Sequence, residues 1–217
     1  GEMAVLMLLY PDPQIRQDMA TLLDNVMPPE NVTPRALRWM IGFRNWVPRN
    51  ERAAVDALIQ KARRARVECA AILQSRRPSL YASAFDGSGM QLISGISQEK
   101  RASHLVHVLV RQGEGIREAH VSPRLSNSEK KSHLRRFKSE AASLKVDEDY
   151  LKKLAPHFLH LGQEAGRTPP PVLLAAAENL VDEYWRPRAL DFEKEVVEDK
   201  APLPPDAKTP AKVQKIL

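Results

Sequence analysis

His157 and His160 stand three residues apart, and Glu164 follows four further on. On a helix such positions share one face, so two imidazoles and a carboxylate could converge on a metal ion. The helical zinc signature instead sets its histidines four apart with a glutamate between them, and Phe158 and Leu159 follow His157 here. The trio reads as ordinary surface or half-buried side chains, and no metal or cofactor is expected. His104 and His107 are also three apart, but in a strand-like run, where successive side chains alternate between faces. They cannot hold one ligand without a bulge, and one of them should face the packed side of a sheet. Asp86-Gly87-Ser88-Gly89 lacks the lysine of a phosphate-binding loop and the Gly-x-Ser-x-Gly order of a nucleophile elbow. Its glycines fit the turn of a hairpin, and a role for Ser88 in chemistry is the lesser alternative.

Charge is more suggestive than any nucleophile. The chain of 217 residues has a net charge of +6, enough to permit attraction to an acidic partner but common also in proteins that bind none. Two clusters concentrate it: Lys61, Arg63, Arg64 and Arg66 at one helix end, and Lys130, Lys131, Arg135, Arg136 and Lys138 on another helix. The first suits the negative end of a helix dipole. The second could meet phosphates or the chain's own acidic segment, in which Asp182, Glu183, Asp191, Glu193, Glu195, Glu198 and Asp199 gather.

The elements that must position these residues follow from periodicity. Ile15, Met19, Leu22, Leu23 and Val26 form one apolar stripe on a helix. Thr33-Pro34 opens a second, with Leu37, Met40 and Ile41 on one side and Trp39, Phe43 and Trp46 on the other, apolar nearly all round and so central. A third, from about Asn50, buries Val55, Leu58, Ile59 and Ala62. The stretch LMLLYPDPQIRQDMATLLDNV resembles a single HEAT-type repeat, which implies that Asp12, Pro13 and Arg16 form an inter-helix turn. No second copy follows, so a solenoid is not expected.

After Arg66 the pattern becomes that of strands: VECAAIL, LYASAF, MQLISGI, HLVHVLV and a fifth in GIREAHV, joined too tightly for parallel crossovers. Ser126 and Glu129 then make a capping box, and Leu134, Phe137, Ala141 and Leu144 mark the buried side of the basic helix. Asp147 opens another helix, which Pro156 should kink or restart. GRTPPP is a stiff connector, and VLLAAAENLVDEYW is helical. The order helix, strands, helix from Asn50 to Leu144 loosely resembles a double-stranded-RNA-binding domain, and the resemblance implies phosphate contacts for Lys130 and Lys131. The family's compact glycine-lysine junction is interrupted here by more than ten residues.

These readings give an α+β fold: a helical group over 1–66, a small antiparallel β-meander over 67–124, a helical group over 125–200 and a flexible tail over 201–217. The chain opens directly into an apolar helix, which suggests either a fragment of a longer protein or a missing partner. Cys69, the single cysteine, cannot close an internal disulfide and reads as a small buried hydrophobe in a reducing, cytoplasmic-type compartment. No apolar run is long enough to cross a bilayer, and no membrane contact is expected. The leading functional expectation is a non-catalytic interaction or scaffold module, part of a larger assembly, that holds a protein partner through helical surfaces. The alternative is a nucleic-acid-binding module, with RNA a candidate, that uses the nine cations of the two clusters; a hydrolase with a cryptic site is a distant third.

Overall fold

A computed structural model describes residues 2–28, 31–72, 76–98, 103–139, 143–181 and 183–191. The N-terminal group comprises α1 (Glu2–Leu6), α2 (Pro13–Val26), α3 (Pro34–Phe43) and α4 (Arg52–Arg64). Asp12 ends the first turn and starts the second helix, because its Oδ1 accepts from the N–H groups of Gln14 (2.8 Å) and Ile15 (3.4 Å). Arg16, one turn later, is 3% exposed. Its Nη1 donates to the carbonyls of Tyr10 and Pro11, and its Nε and Nη2 each donate to Glu51 at 2.7 Å. The Asp-Pro-x-Ile-Arg turn thus does what the HEAT resemblance implies: it folds a helical hairpin and ties it to the turn before α4.

The sheet holds β1 (Arg76–Ser83), β2 (Met90–Gln98), β3 (Ser103–Arg111), β4 (Gly115–Val121) and β5 (Ser143–Val146), all antiparallel, in the order β4-β3-β2-β1-β5. The Asp86 turn joins β1 to β2 as a hairpin. Asp86 Oδ1 accepts from the N–H of Met90 and from the N–H and hydroxyl of Ser88, and Gly89 takes the left-handed φ of 73° that follows such a turn. The Met90 amide, then Ser88, hold the Asp86 carboxyl below the usual carboxylate range. Ser88 is therefore occupied by turn geometry.

Several expectations need correction. Val67 to Ile72 form no strand; the chain there is irregular and Cys69 is exposed, because β1 begins only at Arg76. Leu144 is not on the basic helix, α5 (Asn127–Ser139), but on β5, where it points outward and is 66% exposed. The last helix, α7 (Leu173–Leu180), ends before Tyr184 and Trp185. The helix between them, α6 (Glu148–Glu164), runs continuously through Pro156 and does not restart there.

The two sheet faces are unequal. Leu80, Ile93, Val106, Val108, Val110 and Ile116 join the helices α1 to α4, α6 and α7 in one apolar cluster. α6 reaches β4 where Gly115 abuts Gly162: a Cβ at Gly115 would lie 2.6 Å from the Gly162 Cα, and its φ of 91° already excludes most side chains. The opposite face carries a small cluster of Tyr81, Ile96, Leu105 and Phe137, the last from α5. Topology explains why α5 lies there. It connects β4 at one edge to β5 at the other, four strand spacings or about 19 Å away, and its 13 residues span about 20 Å.

Glu178 on α7 holds the N-terminal helices to the sheet. Its Oε1 accepts from Arg38 Nε (3.0 Å) and Nη2 (2.7 Å), from Trp39 Nε1 (3.0 Å) and from the Tyr184 hydroxyl. Burial, then Glu178, push the Tyr184 phenol well above its ordinary value. Trp46 Nε1 donates to the Trp185 carbonyl at 2.7 Å, so the chain after α7 folds back onto α3. Removing the charge from a partly buried ion pair strands the opposite charge. Glu178→Gln should therefore lower the unfolding free energy by about 3 kcal/mol, read from the urea midpoint; a change below about 0.5 kcal/mol would contradict this role.

Candidate anion-binding face under helix α5

The expected site residues fall in two separate layers. α4 packs among the N-terminal helices, whereas α5 covers the far face of the sheet, so the structure does not bring the two basic clusters together. At the end of α4, Lys61 donates to the carbonyl of Asp24 and lies 3.4 Å from its Oδ1. Arg66 adopts φ 59°, and its neighbour Val67 donates back to the Ala62 carbonyl at 3.1 Å, the six-to-one bond of a Schellman ending. Arg66 thus serves as the left-handed terminating residue, while Arg63 and Arg64 are exposed beside the carbonyl end of the helix. This cluster has a structural explanation for each member.

α5 differs. The capping box forms as expected: Ser126 N–H donates to Glu129 Oε2 at 2.8 Å and Glu129 N–H to Ser126 Oγ at 3.2 Å. Ser126, through its hydroxyl and then its N–H, holds the Glu129 carboxyl below the usual range. Lys131, Arg135, Arg136 and Lys138 are exposed and Lys130 is half-buried. Among the described residues, Lys130, Lys131, Arg135 and Lys138 form no ion pair. By contrast, Arg111, Arg117 and Arg167 converge on Glu114 at 2.9, 3.0 and 2.5 Å. Residues 193–199 of the acidic segment and the 201–217 tail lie outside the described residues.

Beneath α5 the sheet opens into a cavity of about 200 Å³, lined by Tyr81, Ser94, His107, His133, Arg136 and Phe137 among others. Phe137 is its apolar wall, 5.1 Å from the Tyr81 ring and 6.4 Å, edge-on, from the His107 ring. Ser94 and His107 are direct cross-strand partners, and Ser94 Oγ lies 2.8 Å from His107 Nδ1. Burial, and then His120, His133 and Arg136, depress the pKa of His107 below its ordinary value, so the ring is neutral near pH 7. Among the described lining residues no carboxylate stands behind the imidazole as the third member of a catalytic triad would. What the lining offers in abundance is hydrogen-bond donors. His104, on the other face of β3 as strand alternation requires, donates from Nδ1 to the Ser122 carbonyl at 3.0 Å.

The His157 trio disperses. His157 is buried, its Nδ1 accepts from the Leu190 N–H at 3.2 Å and burial lowers its pKa, while His160 is half-buried and Glu164 exposed. Among the described residues no three His, Cys, Asp or Glu side chains gather to hold a metal ion, and no helix is long and apolar enough to cross a membrane. Two further hollows are less promising. One of about 460 Å³ between α2 and α4 is lined by Arg16 and Glu51, which already satisfy each other. Another of about 690 Å³ beside Gly42 and Tyr184 is an open groove.

Comparison with known proteins finds two similarities. A family described as the Y4lR second domain matches residues 1–66, the N-terminal helical group. The chain is 25% identical over 164 residues to "Uncharacterized protein y4lR" of Sinorhizobium fredii (strain NBRC 101917 / NGR234). That match covers 74% of this chain and 31% of the relative's length. No solved structure matches the chain.

The depressed pKa of His107 has a definite sign. As pH falls below 6.5, the ordinary value, the unfolded chain takes up this proton before the folded one. The stabilisation from keeping the ring neutral is fully present above pH 6.5 and is lost as pH drops from there through the folded value. The His107→Gln variant should lose less stability than the parent between about pH 7.5 and about pH 5, measured by urea midpoints; equal losses would contradict the assignment. Arg66→Gly, which relieves a left-handed side chain, should raise stability by about 1 kcal/mol, and a loss of stability would contradict the terminating role.

Proposed function

We propose that the chain is a non-catalytic binding module whose recognition element is α5 and whose partner is nucleic acid. The observation that supports this reading is the exposed line of Lys131, Arg135 and Lys138, with Lys130 beside it, lacking ion pairs among the described residues on a helix with one acidic residue, Glu129. Closely spaced cations on one helix release counterions from a phosphate backbone, which yields sequence-independent affinity that weakens with salt. The carbonyl-end cluster of α4 contributes little, because Lys61 and Arg66 serve the helix itself.

A specific observation keeps a protein partner as the second reading. α2 buries Arg16 and Leu23 but leaves Leu22 and Val26 at 50% and 67% exposure, with Met3 at 76%. Two of the five stripe residues expected to be buried therefore face outward, as on a docking helix.

Fluorescence anisotropy with a labelled oligonucleotide separates the readings. Affinity should fall at least about tenfold between about 50 and 200 mM salt. Joint replacement of Lys130, Lys131, Arg135 and Lys138 by Gln should weaken binding by at least about tenfold, whereas Arg63→Gln with Arg64→Gln should change it by less than about twofold. Absence of binding at low salt would overturn the nucleic-acid reading.

A further inference from the structure

We propose that the cavity between α5 and the sheet binds a single phosphate monoester group. This deepens the nucleic-acid reading and rests on it for one source of that group, the terminal phosphate of a strand.

The argument begins with the lining. Arg136 and His133 enter from α5; Tyr81, Ser94 and His107 come from three adjacent strands. The described lining offers an entering anion guanidinium, imidazole and hydroxyl groups, and among the described residues no carboxylate. Arg presents its donors in a fork that matches two oxygens of one phosphate. A terminal phosphate has three such oxygens and about two negative charges, whereas an internal phosphodiester is tied at both ends to a strand that a cavity of about 200 Å³ has no room to enclose.

The Ser94–His107 bond is suited to the same guest. Ser94 is 4% exposed, and only one proton lies between its Oγ and His107 Nδ1. With the proton on Nδ1, the imidazole donates to Ser94 Oγ and the serine hydroxyl proton is released to point at an anion. With the proton on Nε2, the serine spends its only donor on the ring. An anion in the cavity therefore selects the first tautomer, and His120, paired opposite His107 on β4, adds imidazole and no negative charge. Phe137 and Tyr81 supply an apolar wall that excludes water and strengthens each polar contact.

The test uses the intact chain and two oligonucleotides of one sequence, one with a 5′-phosphate and one with a 5′-hydroxyl, together with inorganic phosphate alone. The phosphorylated strand should bind about tenfold more tightly. Ser94→Ala should abolish that difference while leaving the hydroxyl-ended strand unaffected, and Tyr81→Phe should reduce it should the serine variant fold poorly. Inorganic phosphate should saturably shift the ring resonances of His107 and His133. If phosphate shifts those rings but both strands bind equally, the site stands and its source is a free phosphate compound. If phosphate shifts them and neither strand binds, the site also stands and the nucleic-acid reading fails. Equal binding of both strands with no phosphate-induced shift overturns the cavity assignment and leaves the α5 surface reading intact.

Discussion

One carboxylate oxygen organises the helical side of this protein. Glu178 Oε1 gathers donors from Arg38, Trp39 and Tyr184, so α3, α7 and the segment after α7 are fastened at one point. Arg35 reinforces it, lying 3.9 Å from Glu178 Oε2 and stacked 4.5 Å over the Trp39 ring. A charge held under apolar side chains is tolerable only when its lone pairs are filled, and this requirement sets where α7 must stop. The helix ends at Leu180 so that Tyr184 can turn back to Glu178 and Trp185 can accept from Trp46. α7 in turn lies on the sheet, with Leu180 against Gly95 and Asn179 accepting from Ser97.

The two sheet faces consequently have different tasks. The face under α6 and α7 is filled by aliphatic side chains continuous with the N-terminal helices, and its polar groups are satisfied internally, as where Tyr150 donates to Gln91 and Gln91 to the Ser83 carbonyl. The face under α5 is closed by few apolar contacts. A single helix crossing a five-stranded sheet cannot cover it, and the part left uncovered becomes the cavity. Its polar lining follows from β2 and β3 alternation, which directs Ser94 and His107 away from the packed side.

Much of the architecture was legible in the sequence because it depends on local signals. Thr33 and Asp147 cap the helices they were expected to open, Asp12 lies in the inter-helix turn and caps α2, and the Asp86 turn forms the hairpin its glycines require. The failures come from long-range structure. VECAAIL has the composition of a strand, yet no neighbouring strand takes it into the sheet. Leu144 sits at helical spacing from Phe137 but pairs with Ala82 of β1. VDEYW continues a helical pattern that Glu178 and Trp46 interrupt from a distance. The stripe of α2 was legible as amphipathic, but which of its residues are covered depends on where α4 lies. The Ser94–His107 pair was invisible because it depends on the β2–β3 register, and the segment between those strands carries no turn signature that sets it. The separation of the two basic clusters likewise emerges only once α5 is seen to bridge opposite edges of the sheet.

The central claim is that α5 alone faces the partner while the helices on the other side of the sheet serve the core. Hydrogen-deuterium exchange of the intact chain with and without a bound oligonucleotide tests it directly. Slowed exchange confined to α5 and the adjoining β5 edge, with α2 and α4 unchanged, is the result this account requires. Protection on α2 or at the end of α4, with α5 unaffected, would contradict it.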